Sequence, residues 1–178
     1  MGTMDRRDFI LSLAAITAGG HAAAQSAPGT TILVLGDSMS AEYGLARGTG
    51  WVALLAQRLA QQKIAAEVVN ASISGDTTAG GRARLPALLA QHRPSVVVIE
   101  LGGNDALRGL PLQSTEDNLT AMAQAARKAG ARVLLVGMQV PPNYGADYTR
   151  RFAALFHTVA QAQKAALVPF LLQGVADG

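Results

Sequence analysis

The sequence contains no cysteine, which excludes a disulfide framework, a thiolate nucleophile and any cysteine-ligated metal. Exposure to an oxidising compartment would therefore cost the chain nothing. Aromatic residues make up only 4% of its 178 residues, so an aromatic-rich binding face is not expected. Charge is sparse too, at 15% of residues with a net of +3, and the arginines are scattered (Arg47, Arg58, Arg82, Arg84, Arg108, Arg150, Arg151). No Lys/Arg run is interleaved with aromatics, which argues against a nucleic-acid partner. No G-x-G-x-x-G or G-x-x-x-x-G-K-[ST] closes a predicted strand, so a nucleotide-binding reading of the chain lacks its phosphate loop. What remains is 49% hydrophobic and holds nineteen glycines. Such a chain is long enough for one compact domain with a real core and many tight turns.

The first 24 residues stand apart. "MDRRDFILSLAAITAGGHAAAQSA" has paired arginines, an apolar stretch from Phe9 to about Ala18, and Ala22-Ala23-Ala24 as a small-residue cleavage site. This pattern predicts an export signal, too short to span a bilayer as a mature helix. Arg6-Arg7-Asp8-Phe9-Ile10 suggests the twin-arginine route. The expectation is a periplasmic or secreted domain from residue 25 to 178, with no stable membrane anchor once the signal is removed.

From Thr31 onward, short apolar runs alternate with helical patterns. Strands are expected at 31–36, 66–72, 95–105, 131–140 and 166–171. Helices are expected at 51–62, 80–92, 114–130 and 148–165. In the first, Trp51, Leu54, Leu55 and Leu59 fall on one face. In the second, Pro86 should end or kink the helix. The third opens with Ser114 or Thr115 as a plausible cap and closes at Gly130. The unbroken Val-Val-Val-Ile run at 96–99 suits a strand covered on both faces. Alternating strands and helices imply right-handed crossovers and a five-stranded parallel sheet with helices on both sides.

In such sheets ligands sit beyond the carboxyl ends of the strands. Three polar, glycine-bearing stretches share that edge: Gly36-Asp37-Ser38, Ser72-Ile73-Ser74-Gly75-Asp76 and Gly102-Gly103-Asn104-Asp105. Turn chemistry explains each alone. Together they supply the parts of an acyl-transfer site. A serine nucleophile needs donors for the oxyanion formed on attack. Ser38 leaves a strand with its backbone N–H free to face a ligand, Gly75 can present its own N–H without a side chain in the way, and Asn104 carries a side-chain amide.

These blocks in this order ("GDS", "NASISGDT" at 70–77, "LGGND" at 101–105) resemble the SGNH, or GDSL, hydrolase family. The likeness runs from about Thr31 to Val175. It is nearest to the bacterial group of thioesterase I, protease I, lysophospholipase L1 and arylesterases. The resemblance implies a flavodoxin-like three-layer α/β/α sandwich, hydrolysis of small-molecule acyl esters and thioesters, and no metal or cofactor. It assigns Ser38 as nucleophile, with the Ser38 and Gly75 N–H groups and the Asn104 amide as the oxyanion hole. It also assigns 106–112, with Ala106, Leu107, Arg108 and Gly109, to a loop over the substrate, alongside Asp37. A monomer is expected.

One block is missing. The family's Asp-x-x-His, which supplies the general base, has no counterpart here: the histidines are His21, His92 and His157. His92 precedes the third strand, on the wrong edge, and His157 lies in an apolar helical stretch and reads as structural. The chain is therefore expected to stop short of that block and of a final helix. Loss of the histidine alone costs on the order of a millionfold in kcat in a serine hydrolase. The alternative reading is a catalytically impaired protein that keeps the acyl pocket.

Overall fold

A computed structural model describes residues 29–175; the predicted export signal lies outside them. Five parallel strands form one sheet: β1 (Thr30–Gly36), β2 (Ala66–Asn70), β3 (Val96–Glu100), β4 (Arg132–Val136) and β5 (Ala166–Val168). Their order across the sheet is β2-β1-β3-β4-β5. The chain thus starts in the middle, steps to one edge and then returns past β1 to the other. The point where that direction reverses lies between β1 and β3, and there the ligand crevice of an open parallel sheet forms. The expected α/β/α architecture is the one observed.

The two faces of the sheet are covered unequally. Helices α2 (Thr78–His92), α4 (Leu112–Lys128) and α5 (Ala146–Gln163) pack on the face built from Leu33, Leu35, Val97, Ile99 and Leu135. Phe152 and Phe156 on α5 meet edge to face at 5.5 Å in this larger core. The opposite face (Val34, Val98, Val136) is covered among the described residues by α1 (Trp51–Gln61) through Val52, with Leu171 beside it. Consecutive strand residues point to opposite sides, so β1 and β3 can be apolar throughout and still divide their side chains between both cores.

Several local expectations need correction. Of the two outcomes expected at Pro86, an end to the helix does not occur, since α2 runs on to His92. Pro86 and Arg82, four residues earlier, are both exposed, so the proline sits on the solvent-facing side of the helix. Neither Ser114 nor Thr115 caps α4, which begins at Leu112 after Pro111. Thr115 is buried and turns its hydroxyl to Asp105 at 3.5 Å. On α1 the buried residue is Val52, while Leu54 is 53% exposed. The third strand stops at Glu100 and the fourth at Val136. The residues that follow form a short helix α3 (Gly103–Leu107) and a loop with a 3-10 turn (Pro142–Tyr144).

Candidate active site

The three polar stretches meet where the sequence places them, at the carboxyl ends of β1, β2 and β3. Asn104, in the first turn of α3, holds them together. Its Nδ2 donates to Asp37 Oδ2 at 3.0 Å and to the Asp76 carbonyl at 2.9 Å. Both amide hydrogens are thus engaged with the loops after β1 and β2. The β2 loop is further tied to β1 by Ala71 N–H on the Val34 carbonyl and Ile73 N–H on the Gly36 carbonyl.

Ser38 stands one residue beyond the buried Asp37, half-buried, in the turn that follows β1. The turn is closed by Ala41 N–H on the Asp37 carbonyl at 2.9 Å and by Met39 N–H on Asp37 Oδ1 at 3.0 Å. No hydrogen bond from within the described residues engages Ser38 Oγ or its backbone N–H. Gly75 N–H is likewise unpaired among them. Gly75 sits at φ +79, a conformation that side chains other than glycine's rarely adopt, with only Arg108 within 4 Å of a would-be Cβ. Glycine is required here by backbone conformation rather than by crowding.

The electrostatics are acidic. Asp37 is 3% exposed; burial raises its pKa, against the opposing pull of Met39 N–H and the Asn104 amide. Asp76 is answered by Arg84, whose Nε lies 2.8 Å from Oδ2. Asp105, buried behind Asn104, takes the Thr78 N–H at 2.8 Å and the Thr78 hydroxyl at 2.5 Å, joining α3 to the start of α2. Asn118 of α4 donates to the same hydroxyl at 3.1 Å. Among the described residues no group of three or more metal-ligating side chains forms.

A cavity of about 460 Å³ opens beside the turn, lined by Met39, Gly103, Leu107, Met138, Val140 and Phe170 among others. The expected loop residues divide. Leu107 lines the cavity and is 67% exposed. Arg108 instead donates to the Gly75 carbonyl at 2.9 Å, bracing the loop that carries a candidate oxyanion donor. Ala106 is buried in the core, and Gly109 is exposed at φ +63. The wall formed by 137–142 and 170–172 went unrecognised in the sequence. Reading β4 through to residue 140 hid the loop behind it, although the rule that ligands sit beyond strand ends applies to β4 and β5 as well.

Neither histidine in the described region approaches this edge by its place in the fold. His92 ends α2, four residues before β3 begins, at the opposite edge of the sheet. His157 is exposed on α5, in the half that runs away from the site, so its expected structural role in an apolar setting does not hold.

Residues 34–178 match the model of the GDSL-like Lipase/Acylhydrolase family. The chain is 58% identical over 151 residues to esterase TesA of Pseudomonas aeruginosa, covering 85% of this chain and 75% of that one. It is 45% identical over 151 residues to thioesterase 1/protease 1/lysophospholipase L1 of Escherichia coli, covering 85% and 71%. Among solved structures, AlinE4, an SGNH-hydrolase family esterase, superposes with a TM-score of 0.80 at 40% identity, covering 85% of this chain and 81% of that one.

Proposed function

The chain belongs to the GDSL-like lipase/acylhydrolase family, and from that premise we propose that it is an exported serine hydrolase of acyl esters and thioesters. The observation that carries this reading is the juxtaposition of Ser38, the unpaired Gly75 N–H and the Asn104 amide beside an apolar cavity. Ser38 Oγ attacks the acyl carbonyl. The developing oxyanion takes the N–H groups of Ser38 and Gly75, while Asn104 yields or shares one of its two bonds to become the third donor. Each such donor is worth about 2.7–4 kcal/mol of transition-state stabilisation. The cavity receives the acyl chain, and its apolar lining favours hydrocarbon over sugar. The names of the relatives, esterase and thioesterase among them, support the same substrate class.

The proton of Ser38 needs an acceptor that neither His92 nor His157 supplies. We assign that role to the Asp-x-x-His block of the family, which residues 1–178 do not contain. An external base should therefore substitute in part for the missing one. p-Nitrophenyl butyrate is offered to the chain and to Ser38→Ala, each with and without added imidazole. Weak hydrolysis by the chain, raised by imidazole above the imidazole-treated Ser38→Ala control, is the expected result. A folded chain that never exceeds that control would overturn the reading.

A further inference from the structure

Glu100 ends β3 and is 0% exposed. Its Oε2 accepts the Ser40 hydroxyl at 2.6 Å and lies 3.4 Å from the donating Asp37 N–H. Bonds from just before and just after Ser38 therefore end on one oxygen atom. Ser40 Oγ in turn accepts the Trp51 Nε1–H at 3.1 Å, and the Ser40 carbonyl accepts the Asn70 amide at 2.7 Å. Gly36, paired with Glu100 across the sheet, leaves the space: a Cβ there would come within 2.7 Å of Oε2 and 2.6 Å of Ser40 Oγ.

Such a position is costly for a carboxylate, because burial penalises the charged form and no cation among the described residues is bonded to it. Arg84 of α2 pairs with Asp76 and gives its other bonds to the Ala71 carbonyl and, at 3.5 Å, the Gly36 carbonyl. The charged neighbour just past β1 is Asp37, another acid; Ser40 and Trp51 are neutral. Oε1 has no partner among the described residues. Burial first, then Asp37, push the carboxyl up to about 8, against the Ser40 bond. An apolar residue of similar size would avoid this cost. What the carboxyl contributes is the acceptor itself.

With Ser38 taken as the nucleophile, a reading on which the inference rests, we propose that Glu100 is the positioning residue of the nucleophile turn. Its Oε2 joins Asp37 N–H to the Ser40 hydroxyl and so sets where Ser38 Oγ and N–H point. Glu100 touches no substrate. It acts through the turn above it, and Trp51, the only tryptophan in the chain, reports on the same network.

The experiment has a spectroscopic arm and a kinetic arm. In the ¹⁵N-labelled chain, the Asp37 amide and Trp51 indole resonances are followed from pH 5 to 9.5. They are expected to move together with a midpoint near 8 and to hold still in Glu100→Gln. Resonances that stay fixed in the folded wild type, or that move equally in Glu100→Gln, overturn the proposal. In the kinetic arm, with imidazole present, Glu100→Leu should lose about a hundredfold in kcat with KM changed by less than about threefold, and Gln should recover most of that loss. A folded Glu100→Leu that keeps its kcat also overturns it. If the wild type shows no Ser38-dependent hydrolysis, the reading of Ser38 fails, while the resonances still decide whether Glu100 holds the turn.

Discussion

The buried carboxyl of Glu100 should make the stability of this protein fall as pH rises, and the magnitude can be worked from its surroundings. Its ordinary value of 4.5 is raised to about 8 in the fold. Between those values the unfolded chain releases the proton and the folded chain keeps it, so raising pH favours unfolding. The stability is intact below about 4.5 and is lost progressively as pH rises towards 8. Each pH unit in that interval costs about 1.4 kcal/mol, giving roughly 5 kcal/mol across it. That is a large share of the roughly 5–15 kcal/mol that holds a domain together. Asp37, raised in the same direction and for the same reason, adds to the trend. Glu100→Gln removes the titration while keeping an acceptor under the turn. Guanidinium unfolding followed by far-ultraviolet circular dichroism at pH 5 and pH 8 measures both proteins. The difference between Gln and Glu should shift by a few kcal/mol in favour of Gln from the lower to the higher pH. A difference that is the same at both values would refute the reasoning, whatever its size, because only the pH-dependent part belongs to the ionisation.

Three further outcomes are expected. Asp105→Ala should lower stability by about 2–3 kcal/mol in a denaturant melt, because it strands the buried Thr78 N–H and hydroxyl together. Phe152→Ala, which empties a fully buried site beside Phe156, should cost about 3–5 kcal/mol by the same measurement. Asp147→Asn, by contrast, breaks exposed pairs with Arg150 and Arg151 at the start of α5, and should change the melt by less than about 1 kcal/mol.

The polar groups behind the candidate site tie its loops together. Asn104, Asp105 and Arg84 join loops that are distant in sequence, so that three strand ends behave as one rigid edge. Arg108 does this from outside, on the Gly75 carbonyl. Rigidity of that kind keeps donors aimed at a developing charge without reorganisation during reaction, which is where preorganised sites gain most of their rate.

Short-range patterns in the chain were enough to set the order of elements, the parallel sheet and the three polar strand ends. An all-apolar run bounded by glycine reads as a buried strand, and a serine just past it reads as a ligand-edge residue, without knowledge of what lies beside them. The same logic located Ser38, Gly75 and Asn104 as candidates. Features that depend on distant neighbours stayed hidden until the chain was folded. The face of α1 is one example: Val52 and Leu54 both fit an apolar stripe, and only the position of the sheet turns one inward and the other out. Thr115 looked like a helix cap because local spacing allows it, yet Asp105 claims its hydroxyl. The cavity wall at 137–142 and 170–172 comes from two loops that meet only in the folded chain. Glu100 is the sharpest case. In sequence it is one acid at the end of a valine strand, and nothing in the apolar run before it marks it. Its partners Asp37 and Ser40 lie about sixty residues earlier, and Trp51, which bonds Ser40, about fifty, so its burial, its raised pKa and its hold on the turn exist only once β1, β3 and α1 have packed.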